Sequence, residues 1–153
     1  MKTLARFFPF VAIMALFAAC SSFPGDVTCV PLPIRCKIST IYIVNDSATK
    51  NENFENDLVK QLVSMGYHVE NAEPGTVPDD GYALKYEARY GKSLSTLNYI
   101  KIEVSHGKSV VGYIISDASD APAKYGSAAE RMKPVIDRLF QFATPVTAGI
   151  GQQ

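Results

Sequence analysis

Two segments of the chain alternate apolar and polar residues at every second position. The first covers residues 82–90 and the second covers residues 99–104. A period of two is typical of β-strands that bury one face and expose the other. One hairpin register satisfies both faces, because it brings apolar residues together on one side and opposite charges together on the other. The opposed charges in this register are Lys85 with Glu103 and Glu87 with Lys101.

A third strand is predicted over residues 110–116, after a tight turn at His106 and Gly107. The length of the loop decides which face of this strand is buried. With a two-residue loop, the core face comprises Val111, Tyr113 and Ile115. With a three-residue loop, it comprises Val110, Gly112 and Ile114. We favour the first alternative because it buries a tyrosine and leaves the glycine outside.

The first of two predicted helices begins near Asn53 and ends near Met65. Its apolar residues recur within about one quadrant of a helical wheel, which indicates a single buried face. Gly66 follows at the position of a left-handed C-cap. The predicted buried face comprises Phe54, Leu58, Val59, Leu62 and Met65.

The second predicted helix begins at Ser127 and Glu130, which match a capping box, and it extends to about Ala143. Pro134 lies inside this helix and would remove one backbone donor. The helix is therefore either kinked at Pro134 or divided into a first turn over residues 128–132 and a second start at Pro134. The predicted apolar face comprises Met132, Val135, Ile136, Leu139, Phe140 and Ala143.

The order of the elements predicts an α+β fold. Residues 37–44 form a β-branched run that is largely apolar on both faces, as in an interior strand. Residues 67–70 form a short strand parallel to it. The complete order is β-α-β-β-β-α on one mixed or antiparallel sheet. Two amphipathic helices then cover a single face of the sheet, which makes a two-layer sandwich.

The 153 residues include 15 basic and 15 acidic side chains, so the formal net charge is zero. This balance excludes a nucleic-acid binder that depends on bulk positive charge, and we expect no nucleic-acid partner. The length fits one domain. We assign that domain to residues 37–143 and a flexible tail to residues 144–153.

Residues 1–19 have the composition of a lipoprotein signal peptide. Lys2 and Arg6 are basic, and an apolar segment follows them up to Ala19. Cys20 comes directly after small residues, as in a bacterial lipobox. We therefore predict cleavage before Cys20 and lipidation of its thiol. The alternative is a plain secretory signal that leaves Cys20 as an unmodified thiol.

Lipidation of Cys20 would hold the protein on a membrane without a spanning helix. Several acyl chains, palmitate among them, bury many methylene groups at about 0.8 kcal/mol each. Ser21 follows the cysteine, whereas an aspartate at this position favours retention in the inner membrane of Gram-negative bacteria. We therefore expect the periplasmic face of the outer membrane, with residues 20–36 as a tether.

Cys29 and Cys36 lie in this tether and enclose two prolines. In the oxidising compartment that the export signal implies, such a pair tends to form a disulfide, which we predict here. The closed loop is short, so the expected stabilisation is at most about 2–3 kcal/mol. No histidine lies nearby in the sequence to complete a zinc site.

Several segments together carry a resemblance to a known family. They are Ile43-Val44-Asn45, Gly66-Tyr67, residues 83–88, Tyr99-Ile100-Lys101-Ile102, Gly112, residues 124–130, Pro134 and Leu139-Phe140. Over residues 38–140 the chain resembles the Sbal-type lipoproteins, which are small Gram-negative envelope proteins. The resemblance implies a lipid-anchored periplasmic domain and brings no activity, substrate or cofactor with it.

The sequence contains no motif typical of a catalytic, cofactor or metal site. We interpret His68 and His106 as solvated or structural residues. Tyr82, Tyr86 and Tyr90 share one strand face, and we interpret them as core residues. The candidate binding surface lies on the wet face of the hairpin and comprises Arg89, Tyr99, Lys101 and Glu103.

These observations favour a non-catalytic binding or assembly module of the cell envelope. Its partners would be the membrane, through Cys20, and an envelope protein. One alternative is an envelope enzyme that uses His68 or the loop with Asp117 and Asp120. Another is a small-ligand carrier, which needs a cavity of a few hundred Å³ between the sheet and the helices.

Overall fold

The computed structural model describes residues 26–44, 50–91, 96–119 and 127–146. The export signal and Cys20 lie outside these residues. Within them the chain forms eight strands and two helices. In chain order the elements are β1 (Asp26–Val30), β2 (Lys37–Ile38), β3 (Thr40–Val44), α1 (Glu52–Ser64), β4 (His68–Ala72), β5 (Tyr82–Tyr90), β6 (Leu97–His106), β7 (Ser109–Asp117), α2 (Ala128–Leu139) and β8 (Thr144–Pro145).

Six strands form one mixed sheet in the order β1-β7-β6-β5-β3-β4, and β2 pairs with β8 in a small parallel sheet. Strand β3 is parallel to β4 and to β5, whereas β5, β6, β7 and β1 are antiparallel to one another in turn. Side chains from both helices and from one face of the large sheet form a single core. This confirms the predicted α+β fold with two helices on one face of a mixed sheet.

The register of the β5–β6 hairpin is the predicted one. Lys85 lies opposite Glu103 and Glu87 lies opposite Lys101. The apolar residues between them are buried on the other face of the sheet. The local alternation of the two strands was therefore sufficient to determine their pairing.

The predicted core face of β7 is wrong. The buried residues of this strand are Gly112, Ile114 and Ser116. The loop does contain two residues, since His106 pairs with Ser109, but the register shifts directly beyond it. This β-bulge inserts one residue and exchanges the two faces of the strand. Tyr113 and Ile115 consequently lie on the face away from the helices.

Gly112 faces the core because another segment occupies the space of its missing side chain. A Cβ atom at Gly112 would lie 3.0 Å from Cδ2 of Leu32 and 3.2 Å from the carbonyl oxygen of Val30. Leu32 is fully buried, and its N–H donates to the carbonyl of Leu139 at 2.9 Å. The chain that leaves β1 therefore packs closely over β7 and against the end of α2.

The prediction of a tether over residues 20–36 is wrong for the described part of that range. Strand β1 pairs with β7 along its whole length, and Val27 and Cys29 pack against the core. The predicted tail over residues 144–153 begins with strand β8, which is paired with β2. Residues 147–153 of that tail lie outside the described residues. The folded domain is therefore longer at both ends than residues 37–143.

Helix α1 begins after an N-cap at Asn51, close to the predicted start near Asn53, and the predicted glycine follows its end. The side-chain oxygen of Asn51 accepts a hydrogen bond from the N–H of Phe54 at 3.1 Å. Phe54, Leu58 and Leu62 are fully buried. Gly66 follows the helix with a φ of 91°, a conformation that costs glycine little.

Helix α2 begins at the predicted capping box. The N–H of Ser127 donates to the carboxylate of Glu130 at 2.7 Å, and the Ser127 side chain accepts from the Glu130 N–H. Pro134 lies inside one continuous helix, so the division into two helices is wrong. The predicted apolar residues that are buried are Met132, Val135, Ile136, Leu139 and Phe140. Neither α1 nor α2 has the length and apolar character required to cross a membrane.

Candidate functional site

The candidate surface lies on the side of the large sheet that faces away from both helices. Side chains alternate across a strand, so every second residue of β5 and β6 points to this side. We call this surface the open face, and we define it by Lys85, Glu87, Arg89, Tyr99, Lys101 and Glu103. The structure thus brings together all four residues that the sequence predicted as a binding surface.

Arg89 and Tyr99 form a stacked pair at one end of the open face. The guanidinium carbon of Arg89 lies 3.7 Å from the centroid of the Tyr99 ring, and Arg89 Nε lies 3.4 Å from the Glu87 carboxylate. Asp117 is the partner of Tyr99 on β7. Hydrogen bonds from Ser119 lower the pKa of Asp117, and the nearby Arg89 charge lowers it further. The arginine is therefore held in place by a ring and by carboxylates.

A pocket of about 340 Å³ opens on the same face. Lys101 Nζ lies 3.7 Å from the Glu103 carboxylate inside it. The two ammonium and two carboxylate groups of the pocket suit a polar ligand that carries charges of both signs. The residues that line the pocket are Val44, Pro74, Lys85, Tyr86, Glu87, Lys101 and Glu103. It lies outside the sheet, whereas the ligand-carrier alternative requires a cavity between the sheet and the helices.

Val44 and Pro74 are the pocket residues outside the hairpin, and the sequence analysis missed both. Val44 ends β3, and Pro74 follows β4. The parallel crossover through α1 places these two chain segments beside the hairpin. The apolar character of both faces of β3 was the available signal, because the second face of an interior strand must also find a neighbour.

The tyrosines on the opposite face of β5 belong to the core. Tyr82, Tyr86 and Tyr90 all pack against the buried cluster, as predicted. The hydroxyl of Tyr86 donates to the buried carboxylate of Glu55 at 2.8 Å. This contact gives the carboxylate a partner inside the protein and connects the first turn of α1 to the sheet.

We expect Tyr67 and Tyr86 to ionise only as the protein unfolds in alkali. Burial raises the pKa of each to about 12, whereas tyrosine in an unfolded chain titrates near pH ~10. Because the folded pKa is the higher one, their contribution to stability is complete below about pH 10 and is lost as the pH rises toward 12. Tyrosinate absorbance recorded together with circular dichroism tests this expectation.

In that titration, part of the tyrosinate signal should appear only with the loss of the dichroic signal. The Tyr86→Phe variant should show a smaller late part. Complete ionisation of all tyrosines while the dichroism is still native would contradict the expectation.

The predicted disulfide is not formed in this structure, in which Cys29 and Cys36 are free thiols. Cys29 belongs to β1 and lies opposite Ile114, and burial raises the pKa of its thiol. The Cys36 thiol donates to the hydroxyl of Tyr82 at 3.2 Å. Strand β1 and the turn that follows it direct the two thiols to different neighbours, so spacing in the sequence was a poor guide to their contact.

The two histidines lie at the surface, and each contacts its own neighbours. His68 Nε2 lies 3.0 Å from the Glu70 carboxylate on β4. His106 Nε2 lies 3.1 Å from the carbonyl oxygen of Asp80, and its ring stacks on Tyr82. In the part of the chain that the structure describes, no group of three or more His, Cys, Asp or Glu side chains could hold a metal ion.

Comparison with known proteins relates the chain to solved structures only. No family model and no curated protein matches it. It is similar to the PelC dodecamer from Paraburkholderia phytofirmans, with a TM-score of 0.53 and 14% identity over 75% of this chain and 98% of that chain. A dodecamer of a PelC point variant from the same organism gives a TM-score of 0.46 and 14% identity, over 72% of this chain and 97% of that chain. At this identity the likeness concerns the fold.

Proposed function

We propose that this protein is a lipid-anchored, non-catalytic binding or assembly module at the periplasmic face of the outer membrane. The observation that carries the proposal is the composition of the open face. A charged pocket and a stacked arginine–tyrosine pair lie side by side on one surface of the sheet. An envelope partner would bind there, and Cys20 would carry the lipid.

The open face has the side chains that protein interfaces favour. Arginine and tyrosine are enriched in the centres of interfaces, where they contribute a large share of the binding energy. Arg89 is already fixed by Glu87 and Tyr99. A partner that contacts this arginine would therefore restrict few additional rotamers, which lowers the entropic cost of binding.

The short distance in sequence between Cys20 and the start of β1 fits the proposed lipid anchor. The chain between Cys20 and Asp26 spans at most about 20 Å when it is fully extended. A lipid on Cys20 would therefore keep the sheet close to the bilayer. The PelC structure with a TM-score of 0.53 is a dodecamer, and a protein of similar fold that assembles with its own copies gives further support to an assembly role.

A single labelling experiment tests both parts of this proposal. Cells that express the full chain receive a radiolabelled fatty acid and a photoactivatable leucine analogue, and the irradiated membranes are separated on a gel. We expect the wild-type chain to carry the label and to form one crosslinked species with an envelope protein. Cys20→Ala should lose the label and leave the membrane fraction.

Two lysine variants form the matched comparison for the open face. Lys101 on the open face is half-buried and Lys60 on α1 is exposed, and each lies near a carboxylate, at 3.7 Å and 3.6 Å. Lys101→Ala should keep the label and weaken the crosslinked species at least about tenfold, the factor that a loss of ~1.4 kcal/mol predicts. Lys60→Ala should change neither signal. Equal effects of the two substitutions would overturn the role of the open face.

A further inference from the structure

Within the part of the chain that the structure describes, both edges of the large sheet are open to pairing. Strand β1 lies at one edge and β4 at the other, and no strand in the described residues pairs with their outer sides. Each of the two strands has five residues. An unpaired edge presents a row of backbone N–H and C=O groups that a further strand can bind.

Strand β1 lacks most of the features that usually protect such an edge, and its one charged residue is Asp26 at its start. It contains no lysine, proline or bulge, and all five residues pair with β7 in a continuous register. Three of its residues are β-branched, and Val30 exposes 45% of its surface. An edge strand of this kind is a template for pairing with another chain.

The strand directions decide how two copies of the chain would fit. Counted across the sheet, the antiparallel and parallel pairs leave β4 running opposite to β1. A second copy placed beside the first in the same orientation therefore brings its β1 antiparallel to β4. Antiparallel pairing forms hydrogen bonds that run perpendicular to the two strands.

We propose that β1 of one copy pairs antiparallel with β4 of the next copy, in a head-to-tail assembly of this chain. Each interface then uses two different edges, so each added copy presents a new free edge. Such an assembly grows until the rotation between neighbours closes it into a ring. The hydrogen bonds of the large sheet would continue from copy to copy.

The anchor favours this arrangement over a symmetric pair of β1 strands, an argument that rests on the proposed lipidation of Cys20. In a head-to-tail assembly every β1 begins on the same side, so all anchors reach one bilayer. Two β1 strands paired antiparallel would begin at opposite ends of their interface. Their short tethers would then point in opposite directions.

Three variants separate the two edges. Thr28→Lys with Val30→Lys places two lysines on β1, and His68→Lys with Glu70→Lys places two lysines at exposed positions of β4. Lysines on an edge strand oppose pairing with another strand. The control is Val110→Lys on the interior strand β7, where Val110 exposes 53% of its surface, close to the 45% of Val30.

Native mass spectrometry of the full chain, purified in detergent, reads the outcome. We expect the wild type and Val110→Lys to form assemblies larger than a dimer, and each edge variant alone to be at least about tenfold weaker in association. A mixture of the two edge variants should form dimers with one copy of each and nothing larger, because one intact β1 and one intact β4 remain. A misfolded variant could not form this mixed dimer.

A monomeric wild type, or edge variants with the mass of the wild type, would overturn the proposal. Dimers of the β4 variant alone would show symmetric pairing of β1 instead. The measurement is independent of the anchor, because detergent replaces the membrane. If the wild-type chain carries no fatty-acid label but still assembles, the proposed anchor is wrong and the proposed edge pairing stands.

Discussion

Substitution Phe54→Ala should lower the free energy of unfolding by about 3–5 kcal/mol, as expected when a buried phenylalanine leaves a cavity. Phe54 is fully buried in the first turn of α1, and its ring centroid lies 4.8 Å from that of Tyr86. The same turn carries Glu55, which accepts the hydrogen bond of Tyr86. Loss of the ring therefore removes apolar contacts and loosens the connection between the helix and the sheet.

Urea unfolding followed by circular dichroism measures this effect. Phe54→Leu fills most of the space and should cost less than about 1.5 kcal/mol. Val63→Ala serves as the matched control on the same helix, because Val63 is 54% exposed, and it should change stability by less than about 0.5 kcal/mol. A loss below about 1 kcal/mol for Phe54→Ala would contradict the burial of this ring.

Substitution Leu32→Ala should lower the free energy of unfolding by about 2–5 kcal/mol. Leu32 is fully buried over Gly112 and against the end of α2. The surrounding atoms include backbone of β7 and α2, which cannot collapse freely into the cavity. The cost should therefore resemble that of a leucine in the centre of the domain.

Ile34→Ala is the control for this substitution. Ile34 lies two residues further along the same segment and exposes 74% of its surface, so its loss should cost less than about 0.5 kcal/mol. If the segment were a tether, both variants would unfold at the same urea concentration as the wild type. The urea midpoints of Leu32→Ala and Ile34→Ala therefore decide whether this segment belongs to the folded domain.

The predictions that the structure confirms rest on interactions between residues close in the sequence. The capping box needs only Ser127 and Glu130, one helical turn apart. The hairpin register follows from the alternation of its two strands, because a shift by one residue would expose every apolar side chain. Gly66 could be assigned for a similar reason, since it directly follows the helix whose end it forms.

Local alternation also made the hairpin part of the candidate surface predictable, but it did not predict the pocket residues outside the hairpin. The residues Arg89, Tyr99, Lys101 and Glu103 share a face because they alternate along two adjacent strands. Val44 and Pro74 reach the pocket through a connection that passes over a helix. The alternation within the hairpin cannot predict where the crossover through α1 places these two residues.

The burial of two charged residues also depends on contacts between segments that are distant in the sequence. Arg131 lies on α2 and is only 3% exposed, and its Nη1 donates to the carbonyl of Leu97 at the start of β6. Glu55 is 7% exposed beside Tyr86. From the sequence each would be placed in water, because a charge is buried only where the fold provides a hydrogen-bond partner.

The sequence alone determined the α+β class, the hairpin register, the start of the second helix and the residues of the open face, because each depends on periodicity or on neighbours within a turn. Only the tertiary structure decided that β1 joins the sheet and that Leu32 fills the space over Gly112. It also decided which face of β7 is buried. An edge strand and a glycine acquire their roles from the segment that packs on them, and that segment lies far away in the chain.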